Sequence, residues 1–406
     1  MFIYGKHIYL NPIKTIAAFN YQELLSCFAS LQEHIDTKGT GYFVGYLSYE
    51  AGIIMQTKDK ALFDDIYKNT CLIHKERLEP LAYFRLFEKR EKVSKIFFKQ
   101  NKQNLRVKNL NIISDIDIQK YKRDFSAIKE HIAKGDTYQV NYTQEILLAT
   151  NKPHTNNLNR HNKSTIDKKI LKSGLKLFKA LCKKQNAPYK AFFYNEFLTI
   201  LSFSPELFFS IKRNEITTKP MKGTINRGIE DSKKHKIDKK KDKELKKKLK
   251  QDNKNRSENI MIVDLLRNDL SRIYNAKNIK TKKLFTIHSY RTLHQMVSTI
   301  QAKLPKPFKL LDIFLAIFPC GSITGTPKLK TIEIIQALEC RKRGIYCGAM
   351  GVVSSKKIVF SIPIRTLIRY KNEDFYRYGV GSGIVWDSDV NDEIKELKLK
   401  CKFLKI

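Results

Sequence analysis

Acidic residues are scarce in this 406-residue chain: 40 Asp and Glu stand against 77 Lys and Arg, a formal net charge of +37. Such an excess raises nucleic acid or an anionic membrane as a partner. The basic residues are spread along the chain among many Asn and Ile, and no recurring basic-plus-aromatic module accompanies them. Charge alone then supplies only non-specific affinity, and a specific nucleic-acid function is not expected. Also missing is any run of about 18 apolar residues, the length a spanning helix needs. The opening MFIYGKHIYLNPIK has no charged start followed by a long apolar run, so neither secretion nor membrane insertion is expected. The seven cysteines, Cys27, Cys71, Cys182, Cys320, Cys340, Cys347 and Cys401, are odd in number and contain no C-x-x-C pair. That excludes a disulfide framework or a zinc site by pattern and fits a reducing cytoplasm. Nucleotide fingerprints are absent too: no G-x-x-x-x-G-K-[ST] occurs, and no G-x-G-x-x-G follows a predicted strand.

With 42% hydrophobic and 11% aromatic residues, the chain has enough apolar material for one large core or two ordinary ones. Residues 1–115 read as a strand-rich region, with YQELLSCFASLQEHI as an amphipathic helix and GYFVGYLSYEAG as a buried strand with glycine breaks. Residues 116–406 follow as a second region, the two forming one composite globular unit. A helical stretch from Tyr121 reaches a turn at Gly135 and Asp136, after which Tyr138, Val140 and Tyr142 alternate as in a strand. NKPHTNNLNRHNKST, residues 151–165, is a polar loop. The segment AFFYNEFLTILSFSPELFFSIKRNEITTKPMKGT reads as successive antiparallel strands with Lys222 in a turn just beyond the last. The lysine-dense DSKKHKIDKKKDKELKKKLKQDNKNR is a solvated loop and helix. In ENIMIVDLLRNDLSRIY, apolar residues at helical spacing place Glu258 in the first turn of a helix. YCGAMGVV, KIVFSIPIRTLIRY and DFYRYGVGSGIVW, separated by SSKK and KNED, predict an antiparallel meander with Cys347 in a strand. A terminal helix carries Glu393 and Glu396 on one face.

Three features carry candidate chemistry. Glu258, Glu393 and Glu396 are hard oxygen donors of the kind magnesium takes, although a helix-surface Glu is ordinarily just solvated. In FPCGSITGTPKLKTIEIIQALE a Gly- and Thr-rich loop runs into Pro327, expected at the first helical position, and its backbone N–H groups suit a carboxylate. Such loops also serve close packing. Lys222, between Pro220 and Gly223, is either a nucleophile with a lowered pKa or a plain surface charge, and composition does not separate these.

Taken in order, five blocks resemble a known family. SPELF (204–208), PMKGTINRG (220–228), SENIMIVDLLRNDLSRI (257–273), FPCGSITGTPK (318–328) and GSGIVWDSDVNDEIKE (381–396) are similar to those of the chorismate-utilising enzymes. That family includes anthranilate, aminodeoxychorismate, isochorismate and salicylate synthases. The likeness covers roughly residues 120–406, the first third joining it only through GYLSYEAG. It implies an α+β fold in which two antiparallel sheets face each other, with helices packed on the outside and the site between. It also implies Mg2+ on Glu258 and Glu396, with Glu393 assisting, clamping the ring carboxylate of chorismate. Gly325, Thr326, Lys328, Tyr346, Arg365 and Gly383 fall where the family holds the substrate's two carboxylates, and His294 where it has a histidine near the substrate.

Two positions discriminate within the resemblance. Isochorismate and salicylate synthases carry a water-activating lysine where this sequence has Gln139, which disfavours hydroxylation. Anthranilate synthases typically show alanine in the block matching PMKGT, whereas the lysine here, Lys222, is similar to aminodeoxychorismate synthases. The implied reaction is amination of chorismate, with Lys222 as nucleophile and Glu206 in SPELF as general acid, for para-aminobenzoate and folate synthesis. With no G-x-C-x-G elbow in the chain, ammonia is expected from a separate glutamine amidotransferase subunit. Anthranilate synthesis and a basic nucleic-acid-binding protein stand as the alternatives. Asn255, Ile225 and Asn226 depart from the family's usual residues, and no tryptophan-pocket motif is evident.

Overall fold

The computed structural model describes residues 1–57, 79–93, 110–150, 163–185, 187–231, 236–290 and 293–404. Cys71, residues 151–162 of the expected polar loop and 232–235 of the lysine-rich segment lie outside these. Two ten-stranded sheets dominate, and every described pairing is antiparallel. One runs from the two-residue edge Gly325–Thr326 through Gln139–Ala149, Phe375–Val385, Thr366–Tyr370, Leu198–Ser204, Tyr189–Tyr194, Phe2–Tyr4 and His7–Tyr9 to Glu91–Lys92, with Asn111–Ser114 also pairing with Gln139–Ala149. The other begins at Met221–Asn226 and passes through Leu293–Lys303, Glu215–Lys219, Leu207–Lys212, Lys357–Ser361, Ala349–Ser354, Tyr42–Leu47 and Ala82–Phe87 to Lys14–Ala18, with Lys277–Ser289 also pairing with Leu293–Lys303. Strands before residue 115 thus enter both sheets.

Strand period explains how the first sheet is covered on both faces. In Phe2–Tyr4, Phe2 and Tyr4 belong to the larger core cluster and Ile3 to the smaller; in Leu198–Ser204, Leu198 and Ile200 face the first, Leu201 and Phe203 the second. The larger cluster fills the space between the sheets, where the Tyr4 hydroxyl donates to Ser361 Oγ across the gap at 3.1 Å. The smaller lies under the outer helices Ile118–Ala133, Lys163–Lys184, Lys328–Glu339 and Val390–Cys401. The fold is α+β, two facing antiparallel sheets with helices outside, as the resemblance implied. Among the described residues no helix is long and apolar enough to cross a membrane.

Several local expectations change. The amphipathic helix forms at Tyr21–Asp36, with Asn20 accepting from Glu23 N–H and Glu23 reaching back to Phe19 N–H, a reciprocal cap. GYFVGYLSYEAG is not one strand: Tyr42–Leu47 ends at Ser48, whose hydroxyl accepts from Ala51 N–H and starts the helix Tyr49–Gln56. The C-terminal segment is not one meander but two hairpins in opposite sheets, Ala349–Ser354 with Lys357–Ser361 and Thr366–Tyr370 with Phe375–Val385. The chain crosses over at Pro363, which has no N–H for a ladder, and at Arg365, whose φ of 53° is incompatible with a strand. Cys347, fully buried, sits in the turn before Ala349–Ser354 with φ 65°, not within a strand.

Candidate active site

The two sheets bring their edges together around Lys222. In the first sheet Thr326 pairs with Gln139 and Gly325 with Val140, while Val385 pairs with Gln139 and Gly383 with Asn141 on the other side. Two of the sequence blocks, 318–328 and 381–396, therefore flank the strand that carries Gln139. Gly325 is required there: a Cβ would lie 1.9 Å from the Gln139 carbonyl oxygen, so no side chain fits between loop and strand. The loop is tied down from behind by Arg343, which donates to the Ile323 carbonyl at 2.8 Å and the Asn141 carbonyl at 2.7 Å while pairing with Glu339 at 2.7 Å. Arg343 and Glu339 are buried, and their pairing satisfies charges that burial alone would penalise heavily.

Lys222 lies inside the strand Met221–Asn226, not beyond it, because Gly223 (φ 79°) absorbs the irregularity that the sequence suggested as a strand end. Its ammonium stands 2.8 Å from where a Gly383 Cβ would be, and the Gln139 amide is 3.4 Å from the same point. The absence of a side chain at Gly383 is what admits the lysine. Gln139 is completely buried, yet neither its Nε2 nor its Oε1 has a partner among the described residues; Thr326 Oγ1 is likewise unsatisfied. Orphaned buried polar atoms are costly and mark a place for a polar ligand. The charge of Lys222 acts on Glu206, Glu258 and Glu396, placing it amid three carboxylates from three different blocks.

Glu206 is 5% exposed, and burial pushes its carboxyl up to about 7, against the hydrogen bond from Ser322 Oγ (2.8 Å) and the charge of Lys222. A carboxyl in that range holds a proton near neutrality and can give it up. Glu258 sits in the second turn of Asn253–Ser271, not the first, since Asp252 caps the helix by accepting from Asn255 N–H. Burial raises the Glu258 carboxyl; Lys222 and Lys254 oppose this, while Glu393 and Glu396 reinforce it. Asn255 lies over Gly223, where a Cβ would meet its Oδ1 at 2.7 Å. Buried Glu393 accepts from Ser388 Oγ at 2.8 Å, and Glu396 pairs with Lys400 at 2.6 Å, which holds its carboxyl below the usual range. Among the described residues no three His, Cys, Asp or Glu side chains converge closely enough to enclose a metal ion. Glu258 nonetheless feels the charge of both Glu393 and Glu396, and an all-oxygen, like-charged donor set of this kind suits a hard divalent cation.

Not every candidate points into this cluster. His294 is fully buried with both ring nitrogens engaged, Nε2 with Asp242 Oδ1 at 2.8 Å and Nδ1 with Ser289 Oγ at 3.0 Å; Asp242 in turn holds Arg227 at 2.8 Å. Lys328 is buried and paired with Asp269 at 2.9 Å, tying the loop to the helix that bears Glu258. Pro327 precedes that loop's helix as its cap, the helix beginning at Lys328. Arg365 differs: its guanidinium makes no hydrogen bond or ion pair among the described residues, and burial pulls its pKa down. An unpaired, desolvated guanidinium suits a carboxylate ligand. Tyr346 is buried with its ring against Gly379, where a Cβ would come within 2.4 Å. Sequence reasoning missed Ser322, Arg343, Asp242, Lys400 and Tyr290, the last within electrostatic reach of both Glu206 and Arg365. Only the first lay in a motif already singled out.

Comparisons with known proteins bear on the family and the fold. The chorismate binding enzyme family model matches residues 3–405. Aminodeoxychorismate synthase component 1 of Escherichia coli is 35% identical over 284 residues, 70% of this chain and 56% of that protein. A probable chloroplastic aminodeoxychorismate synthase of Oryza sativa is 36% identical over 286 residues, again 70% of this chain but 29% of its own length. The matches thus span about half or less of these relatives. Anthranilate synthase component I of Streptococcus pneumoniae, 20% identical, superposes with a TM-score of 0.73 over 100% of this chain and 92% of its own, a likeness of fold. With blocks from five parts of the sequence gathered around Lys222 and the family model matching almost end to end, the chain belongs to the chorismate binding enzyme family.

Proposed function

We propose that this protein is an aminodeoxychorismate synthase component I, exchanging the 4-hydroxyl of chorismate for ammonia to give 4-amino-4-deoxychorismate for para-aminobenzoate and folate synthesis. The observation that carries the reading is Lys222, admitted over Gly383 beside the unsatisfied Gln139 amide and within the field of Glu206. The Lys222 amine adds to ring carbon 2; the ring double bond shifts and the 4-hydroxyl departs as water, taking its proton from Glu206. Ammonia then adds at carbon 4, the double bond shifts back, and the carbon–nitrogen bond to Lys222 breaks. Excess protons from the two nitrogens return to Glu206 and solvent, so the exchange balances as chorismate plus ammonia giving aminodeoxychorismate plus water.

Arg365, with the Gly325–Thr326 backbone and Thr326 Oγ1, is suited to the substrate's carboxylates. Magnesium, held by Glu258 and Glu396 with Glu393 supporting them, would neutralise the ring carboxylate. Lys328 and His294 support the site through Asp269 and Asp242. Ammonia comes from a separate glutamine amidotransferase subunit, and the cytoplasm is the compartment.

The test is product identification by mass spectrometry from chorismate, magnesium and ammonium, with intact-mass analysis of the protein. The expected result is aminodeoxychorismate from the wild type, none from Lys222→Ala, and none in excess chelator. Fluorescent anthranilate with pyruvate as the product would overturn the reaction. Undiminished synthesis by Lys222→Ala would overturn the covalent role while leaving the family unaffected.

A further inference from the structure

We infer that Ser322 is a positioning residue that decides which oxygen of Glu206 carries the acid proton, an inference that rests on Glu206 serving as general acid in the proposed reaction. Three side chains form a line: Cys320 Sγ lies 3.3 Å from Ser322 Oγ, which donates to Glu206 Oε1 at 2.8 Å. All three are at most 6% exposed, so water does not substitute for any link. The direction of the line follows from the carboxyl: ionised, it only accepts, so the Ser322 hydroxyl spends its one hydrogen on Oε1 and its oxygen is left to accept from Cys320. Burial pushes the Cys320 thiol up to about 12, so it keeps its hydrogen at neutral pH and is available to donate to Ser322 Oγ. Oε1 therefore accepts, and the exchangeable proton resides on Oε2.

The backbone of Glu206 is pinned independently. Its N–H donates to Ser204 Oγ at 3.1 Å and its carbonyl accepts from Ile362 N–H at 3.2 Å, so only the carboxyl depends on Ser322. The charged or titratable groups acting with Glu206 are Lys222, Cys320 and Tyr290. Lys222 and Tyr290 act on Glu206 through charge, and among the described residues the hydrogen bond to Oε1 comes from Ser322. Ser322 and Glu206 are 116 residues apart in sequence, and it is the short 3-10 turn Gly321–Ile323 that delivers the hydroxyl.

The experiment compares wild type, Ser322→Ala and Ser322→Thr by two readouts. The first is the titration of Glu206 in protein labelled with 13C at the glutamate carboxyl, the signal being assigned by its disappearance in Glu206→Gln. Loss of a hydrogen bond to the ionised form makes the acid about tenfold weaker, so the Ser322→Ala midpoint moves upward by about one pH unit. Ser322→Thr, which keeps the hydroxyl, moves it back. The second readout is the pH profile of chorismate amination, where Ser322→Ala lowers kcat by about 10- to 100-fold at matched protonation with KM little altered. An unmoved midpoint with kcat intact, or threonine failing to restore either in a folded protein, would overturn the assignment. If the midpoint moves as expected while no wild-type preparation aminates chorismate, the link to Glu206 stands and the proposed reaction falls.

Discussion

Replacing Gly383 by alanine adds one methyl group where the fold has room for it but the chemistry does not. The new Cβ would stand 2.8 Å from Lys222 Nζ, against 3.4 Å for the start of ordinary contact, so the ammonium must retreat by at least 3.4 − 2.8 = 0.6 Å. The obstructing atom is the end of a flexible side chain, and Gly383 is not in the left-handed region. The backbone of Phe375–Val385 is therefore undisturbed, and alanine in a strand gains about 0.5 kcal/mol by restricting the unfolded chain. Stability should hold or rise slightly. Catalysis should not: a displacement approaching 1 Å of a reacting group costs on the order of 100-fold, and the predicted fall in kcat/KM is about 10- to 100-fold, or roughly 1.4 to 2.7 kcal/mol of barrier. Thermal melting beside steady-state amination with ammonium separates the two effects. A folded Gly383→Ala protein with wild-type kcat/KM, or one whose activity falls only in step with its melting temperature, would show that Lys222 is not held at this spot for catalysis.

Gly325→Ala should behave in the opposite way, because its Cβ would strike the Gln139 carbonyl at 1.9 Å and Thr331 Cγ2 at 2.6 Å; unfolding in urea should show a loss of more than about 2 kcal/mol. Glu206→Gln should abolish amination yet stabilise the protein. The wild-type carboxyl, raised to about 7 from 4.5, favours the folded state while protonated; this advantage is full below pH 4.5 and lost as pH rises through about 7. Denaturation should therefore find the two proteins alike below pH 4.5 and the variant ahead by roughly 3 kcal/mol at pH 8. Arg343→Met strands the buried Glu339 and the carbonyls of Ile323 and Asn141, with an expected cost of about 3 to 5 kcal/mol. Adding Glu339→Leu should recover much of it, and failure of the double variant to improve on the single would refute the ionic account.

Local patterns in the chain were enough for most elements. Alternating β-branched and aromatic residues set the strands from Tyr189 to Lys219, and 3.6-residue spacing set Tyr21–Asp36 and Asn253–Ser271, since period and side-chain shape act over a few neighbours. The ordered blocks also identified Lys222, Glu206 and Glu258 as candidates. What they did not reveal was which strand joins which sheet. The C-terminal strands read as one meander because a turn and a crossover look alike locally, and only burial of both faces sends Thr366–Tyr370 to the opposite sheet.

The same division runs through the site. Sequence by itself determined the chemistry available: a lysine, a set of carboxylates, a Gly- and Thr-rich loop and a scarcity of competing acids around them. Tertiary structure alone decided which groups are free to act. His294 and Lys328 are occupied by Asp242 and Asp269, 52 and 59 residues away, whereas Arg365 and the Gln139 amide are left without partners among the described residues. The reason is physical: a side chain's charge is written in the residue, but its pKa and its partners depend on which distant groups share its buried volume, and that is set only when the two sheets close on each other.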